Sequence, residues 1–317
     1  GDVVSWRGRI DAVNREQPAQ GADDAAGQGT LQAEGIANGG HPHTDLHLVQ
    51  ITGQYGLEIV PAGIDLNHSQ IAVQILAHHL GDVGRQVAAL GSEFRCVLLT
   101  LPNFGEKAVK AGGFDFPELL DRIAATVRAV QPSDAVGLVT HDWGAYLGYL
   151  LEQAYPERVS RMMALDIGGH VAPAGLKPAL MIIGYQWSLI AAWLVGGLLP
   201  PLGALMSRGV CKVIKVPSRQ TAAIRSRYNY LYFRLWRNML LPWMRRRLLR
   251  NYRPGCPVAF LYGERKPVMF HSPQWLQTVA ETGGYSEGVA GAGHWLMETH
   301  AETVNGKLVD WFEDANP

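Results

Sequence analysis

The stretch Ala135-Val-Gly-Leu-Val-Thr140-His141-Asp142-Trp143-Gly144-Ala145-Tyr146-Leu147 reads as a short buried strand, a sharp turn and the start of a helix. Ala135 to Thr140 is an apolar, β-rich run that follows the loop Gln131-Pro-Ser-Asp134. An apolar run that short is a strand sooner than a helix. Gly144 to Tyr155 is apolar on nearly every side, as a helix packed beneath a sheet would be. Between them stands small-x-Asp-x-small, with Asp142 at the apex. Small residues belong beside such a turn because its strained backbone lifts the apex side chain out at the end of the sheet. The same turn aims the amide N–H of Trp143 at any oxyanion that forms on Asp142. A surface aspartate capping the helix is the plainer reading of these few residues.

Outward from this point, strands and helices alternate. Arg95-Cys-Val-Leu-Leu-Thr-Leu101 reads as a buried strand followed by Pro102-Asn-Phe-Gly105. Asp115-Phe-Pro117-Glu118 is a helix start with Pro just inside it, and Leu119, Leu120, Ile123, Val127 and Val130 keep one apolar face. Arg161 to Asp166 is the next strand, and Cys256 to Gly263 another. Tyr285 to Val289 is the last, before Gly293-His294-Trp295 and a helix through Val304, Leu308, Trp311 and Phe312. Such alternation argues for a parallel sheet covered on both faces. Upstream, Leu46–Ile51 and Leu57–Val60 pattern a hairpin, and Ile71–Leu76 a further strand. Residues 1 to about 45, rich in Gly, Ala, Gln and Asp, show no sustained period and read as disordered.

Thr140-His-Asp-Trp-Gly144 has the nucleophile-elbow pattern, with aspartate where Gly-x-Ser-x-Gly enzymes carry serine. It resembles the elbow of α/β-hydrolase-fold epoxide hydrolases and haloalkane dehalogenases, which attack carbon with an aspartate. Gly293-His294-Trp295 resembles that family's catalytic-histidine loop, and Pro102-Asn-Phe-Gly105 its Leu-Pro-Gly-Phe-Gly turn. The resemblance covers roughly residues 87 to 315. It implies an α/β-hydrolase fold, a mostly parallel sheet with helices on both faces and an inserted helical cap. The expected boundaries are a disordered or divergent N-terminus over 1–45, core over 46–167, basic helical cap over 168–252, and core again over 253–317. One departure stands out. The family's third strand ends at His-Gly-x-Pro, whose backbone N–H completes the oxyanion hole, whereas this chain has Ala77-His-His-Leu-Gly-Asp82. Nothing before about Gln86 matches the family.

The resemblance implies Asp142 as nucleophile and His294 as the general base that hydrolyses the resulting ester. The supporting acid is expected three residues after Gly263, but Glu264, Arg265 and Lys266 follow, so a lysine holds that place. Asp166, at an acid position used by some dehalogenases, ranks first, and Glu264 second. Cap tyrosines donate the proton to the opened epoxide in the related hydrolases, and Tyr228, Tyr230 and Tyr232 lie in the right segment, with Tyr185 further off. Alternate spacing shares a face only in an extended chain, so at most two of the three point inward. Trp143 serves as oxyanion or leaving-group donor. The expected activity is hydrolysis of a small apolar epoxide. The alternatives are a haloalkane dehalogenase, or a catalytically inactive hydrolase-like protein that binds a membrane or a partner. No metal or organic cofactor is implied.

The net charge of zero hides an asymmetry: Ile167 to Gly263 holds no Asp or Glu but fourteen Lys and Arg. Within it, Pro178 to Ser207 carries no charge at all. One reading is a buried cap helix lining an apolar tunnel. The other is a cap dipping into an anionic membrane, with a fatty epoxide bearing a carboxylate as a matching substrate. Nucleic-acid binding is disfavoured, because the apolar neighbour of the basic segment would be exposed for no reason. Cys96, Cys211 and Cys256 read as free thiols of a reducing compartment, so the chain is expected to be intracellular, cytoplasmic or peripherally membrane-associated. No signal-peptide pattern is visible. His41, His43, His47, His68, His78 and His79 fit no metal motif and read as solvated or core histidines.

Overall fold

The computed structural model describes residues 51–52, 58–62, 71–76, 84–90, 94–104, 109–216, 221 and 224–313. The expectations for residues 1–45, for the clustered histidines and for Ala77–Asp82 lie outside them. The strands are β1 (Ile51–Thr52), β2 (Glu58–Ala62), β3 (Ile71–Leu76), β4 (Arg95–Thr100), β5 (Val136–His141), β6 (Val159–Leu165), β7 (Val258–Gly263) and β8 (Tyr285–Val289). They form one sheet in the order β1-β2-β4-β3-β5-β6-β7-β8. β1 pairs antiparallel with β2, and β2 antiparallel with β4. All later pairings are parallel. This is the arrangement of an α/β-hydrolase fold. Residues before 87, in which the sequence reading finds no family motif, contribute β1, β2, β3 and the start of α1 to it, which corrects the expectation of a divergent segment up to Gln86.

Because side chains alternate along a strand, each buried strand feeds two cores. On one face Val97, Leu99, Leu138 and Phe260 pack with α2 (Phe116–Val130), α3 (Trp143–Ala154) and α7 (Pro273–Glu281). On the other, Cys96, Leu98, Val139 and Leu261 pack with α1 (Gly84–Leu90) and α9 (Ala301–Glu313). A four-residue helical turn, α8 (Leu296–Thr299), joins the end of the sheet to α9. Cys96, Cys211 and Cys256 are free and buried.

Between β6 and β7 the rhythm breaks. The insertion carries α4 (Leu176–Leu198), α5 (Pro200–Val213), a 3-10 turn at Ser226–Asn229, α6 (Tyr230–Leu240) and a second at Pro242–Arg247. The preferred expectation for its apolar segment, a buried helix, is corrected: only 17% of the most apolar window of α4 is buried.

One aspartate ties this insertion to the core. Asp115 caps α2 by accepting from the Phe116 N–H at 3.0 Å. Its carboxylate also accepts from Asn238 at 2.9 Å and Arg237 at 2.6 Å, and pairs with Arg247. Burial disfavours its charge, but these partners outweigh it and hold the carboxyl below its ordinary range. Replacing Asp115 by Ala removes a helix cap and leaves two half-buried guanidinium groups unpaired. The expected loss is about 2–4 kcal/mol in urea unfolding. A loss within ~0.5 kcal/mol, the range of ordinary surface changes, would contradict this account of the junction.

Candidate active site

The carboxyl ends of β5, β6 and β8 meet at one point, the place where open α/β sheets bind ligands. β5 ends at His141 and α3 begins at Trp143, so Asp142 alone makes the turn, at φ 52 and ψ −125. Left-handed backbone at a residue with a Cβ costs about 1–3 kcal/mol and clusters at functional sites. The turn is made tight by small residues below it: a Cβ on Gly148 would stand 2.8 Å from the Thr140 methyl. The Asp142 side chain makes no capping bond to α3, which sets aside the plain helix-cap reading.

Asp166, immediately after β6, is fully buried and also left-handed, at φ 68. Its Oδ2 faces His294 Nδ1 at 2.6 Å. Its Oδ1 accepts from the Gly263 N–H at 3.0 Å and pairs with the Lys266 ammonium. Burial opposes the charge on Asp166, yet bonds from His294 and Lys266 outweigh it and keep the carboxyl below its ordinary range. Burial likewise opposes an imidazolium at His294. The hydrogen bond and charge of Asp166, with the charge of Asp142, overcome this and raise its pKa, while Lys266 pulls it down.

Two further contacts set the histidine loop. Gly263 has no side chain, and a Cβ there would collide with the Gly293 carbonyl oxygen, so glycine lets the loop approach the end of β7. The Arg265 N–H then donates to Ala292 O at 2.7 Å. From below, His141 Nε2 lies 3.1 Å from His294 O, with the two rings 4.5 Å apart. Burial and the neighbouring His294 push the His141 pKa down to about 3, so the ring is neutral. A carbonyl accepts only from N–H, hence Nε2 carries the proton and donates to His294 O.

Above Asp142 the insertion supplies phenols. Tyr232 of α6 stands edge-on to Trp143 at 5.0 Å and to Tyr185 of α4 at 6.0 Å. Burial first, then the charge of Asp142, raises both: Tyr232 well above its ordinary value and Tyr185 to about 12. Both phenols are therefore neutral, and both lie close enough to Asp142 to feel its charge. Cys211 of α5 feels the same charge, and burial with Asp142 pushes its thiol up to about 11. The buried Trp143 indole N–H makes no hydrogen bond of standard geometry among the described residues, and it lies close enough to the Tyr232 oxygen to favour the tyrosinate.

Several candidates fall elsewhere. Tyr228 stacks on Phe104 at 4.9 Å, and Tyr230 donates its O–H to Pro102 O at 3.0 Å. Both serve packing between insertion and core, because the 3-10 turn gives way to α6 at Tyr230 and sends successive tyrosines in different directions. Glu264 is exposed and lies against Gly288, so it does not support His294. Four of the insertion's arginines are engaged within the protein: Arg237 and Arg247 with Asp115, Arg234 with Gly112 O, and Arg227 with Asn103 O. Tyr185, further off in sequence, lies beside Tyr232 because α4 packs across α6.

Residues 75–306 match the Alpha/beta hydrolase family. The chain belongs to that family. Among solved structures, this alpha/beta hydrolase resembles the epoxide hydrolase CorEH, at 17% identity over 82% of this chain and 95% of that one, with a TM-score of 0.62. It resembles a loop variant of the haloalkane dehalogenase DbeA from Bradyrhizobium elkanii at 14% identity, over 81% and 93% of the two chains, with a TM-score of 0.61. A Bacillus megaterium epoxide hydrolase in complex with an inhibitor gives 18% identity, 82% and 98% coverage, and a TM-score of 0.58. At such identities the likeness shows the fold. No curated protein sequence matches.

Two variants probe the site. Gly263→Ala must push the histidine loop off β7, with an expected destabilisation of about 1–3 kcal/mol in thermal melting. Unchanged melting would contradict the close approach. Lys266→Met removes the cation that lowers His294. The His294 pKa should then rise, so its chemical shift titration moves to higher pH; a downward shift would contradict the assigned polarity.

Proposed function

We propose that this alpha/beta hydrolase opens small apolar epoxides through an alkyl ester on Asp142. The single observation that carries the reading is the company of that aspartate: its charge reaches both the His294–Asp166 pair and the neutral phenols of Tyr185 and Tyr232, the latter packed edge-on against the adjoining Trp143. An epoxide carbon has no carbonyl to polarise, so it needs a nucleophile and a proton donor at once, and both are present.

In the proposed reaction an Asp142 oxygen attacks one epoxide carbon and the C–O bond breaks. The departing alkoxide takes a proton from Tyr185 or Tyr232, leaving a hydroxyalkyl ester and a tyrosinate. Water then gives a proton to His294 Nε2 and attacks the ester carbonyl. The N–H of Trp143 supports the oxyanion. Collapse expels the diol oxygen, which takes the proton from His294. The Asp142 carboxylic acid returns its proton to the tyrosinate. Asp166 orients the imidazole and offsets its transient charge, as the acid of a serine triad does.

A second reading rests on the buried indole N–H of Trp143 beside Asp142, a donor that suits a halide leaving group. Haloalkane turnover with halide release, in the absence of epoxide turnover, would select it. The direct test is intact mass of a His294→Gln variant mixed with an aryl epoxide, with Asp142→Asn in the same background as control. An adduct of the epoxide's mass that the control lacks is expected, because removing the base halts hydrolysis after alkylation. No adduct in folded protein would overturn the reading. Tyr185→Phe and Tyr232→Phe should each lower the rate of adduct formation by about 10- to 10,000-fold. Because the general-acid effect is specific to the alkoxide, haloalkane turnover should be spared.

A further inference from the structure

The hairpin of α4 and α5 leaves a long apolar surface in water. Leu176, Leu180, Ile183, Trp187, Leu194 and Leu198 recur three, four or seven residues apart on one face of α4, and every one is exposed. The stripe continues over the turn through Leu199, Leu202 and Leu205, with Leu198 85% and Leu205 66% exposed. The opposite face of α4 is committed to the fold through Leu189 and Ala192, and Ile190, in line with the stripe between Trp187 and Leu194, is buried as well. The two helices also meet backbone to backbone, since a Cβ on Gly203 would run into Gly196 and the Ala192 carbonyl. The hairpin is thus a thin, closely packed blade with an apolar edge and tip. A surface of this extent is a surface for a partner.

Charge identifies the partner. No acidic residue lies between Ile167 and Gly263, so a second copy laid on this surface would bring cation against cation. Lys177 stands at the base of α4, and exposed Lys212, near the end of α5, and Lys215, just past it, lie behind the tip. At 1.5 Å rise per residue, Lys212 is about 18 Å from Pro200. Half of a bilayer's ~30 Å hydrocarbon core is ~15 Å, so a tip buried to that depth brings these cations to the phosphates. Trp187 packs on Trp236 of α6 at 5.3 Å, and α6 leads into exposed Leu240, Trp243, Arg245 and Arg246, an aromatic and basic flank. A full span does not fit. α5 has 14 residues, about 21 Å, and would leave Lys212 in the hydrocarbon. Tyr185, in the middle of α4, packs edge-on against Tyr232 of α6 within the fold.

We propose that the tip of the α4–α5 hairpin inserts into one leaflet of an anionic lipid bilayer, with Lys212 and Lys215 at the headgroups. The test is flotation of the full chain with phosphatidylcholine vesicles, with and without phosphatidylserine. Wild type should float with the anionic vesicles, and more weakly as salt rises. The double variant Leu198→Glu/Leu205→Glu should lose flotation while keeping the wild-type melting curve, both positions being exposed. Lys212→Ala/Lys215→Ala should lower affinity for anionic vesicles by roughly tenfold or more, with little effect on neutral ones. No flotation of wild type, or flotation that the glutamates leave unchanged, would overturn the proposal. So would a dimer that the glutamates dissociate in protein that binds no vesicle, which would assign the surface to a second copy.

Discussion

The site depends on one buried hydrogen bond, 2.6 Å from Asp166 Oδ2 to His294 Nδ1. A fully buried carboxylate is costly unless each oxygen is satisfied, and here both are: one by the imidazole, the other by a backbone N–H and an ammonium. The same arrangement fixes the imidazole tautomer, because an ionised carboxylate only accepts and Nδ1 must therefore carry the proton. Nε2 is left with its lone pair, which is what a general base requires. The backbone is shaped to allow this: Gly263 admits the histidine loop and His141 donates to the His294 carbonyl.

Lys266 gives the site an internal tension. Its ammonium helps keep Asp166 ionised, which favours the histidine pair, yet its charge lowers the basicity of His294. Asp142 works in the other direction, raising His294 and both phenols. In the proposed reaction the nucleophile loses its charge on alkylation. The support it gives to a protonated histidine then disappears, so His294 becomes readier to exist as the neutral base at the stage when water must be activated.

How much of this was legible follows from where the information lies along the chain. The elbow was readable because a buried strand, an apex residue and an apolar helix are consecutive, and each carries its own periodicity. The strands from Arg95 to Val289 were readable for the same reason, to within about two residues at their ends. Asp166 could be ranked above Glu264 only by resemblance; the structure decides the placement through the left-handed turn that drives its carboxylate under the histidine loop. The proximity of Tyr185 to Tyr232 was not legible, because it is created by α4 folding across α6, a packing that spacing does not encode. The charge on the insertion was read as a surface for substrate. Much of it is structural, since Asp115, far upstream, collects Arg237 and Arg247. Glycines 263 and 203 were ordinary strand-end and helix glycines in sequence, and their role appears only when the opposing backbone is in place.

The division of labour is therefore clear: the sheet presents an aspartate and a histidine pair, and the insertion covers them with phenols while turning an apolar edge outward. The central claim is that Asp142 itself becomes the ester. Multiple turnovers of an epoxide in oxygen-18 water, followed by peptide mass spectrometry, test it most directly. If water attacks the ester carbonyl, heavy oxygen must enter the Asp142 carboxylate, and the peptide holding it gains mass with turnover. Label found in the diol from the first turnover, with none in the Asp142 peptide, would mean that water opens the epoxide directly and would contradict the account.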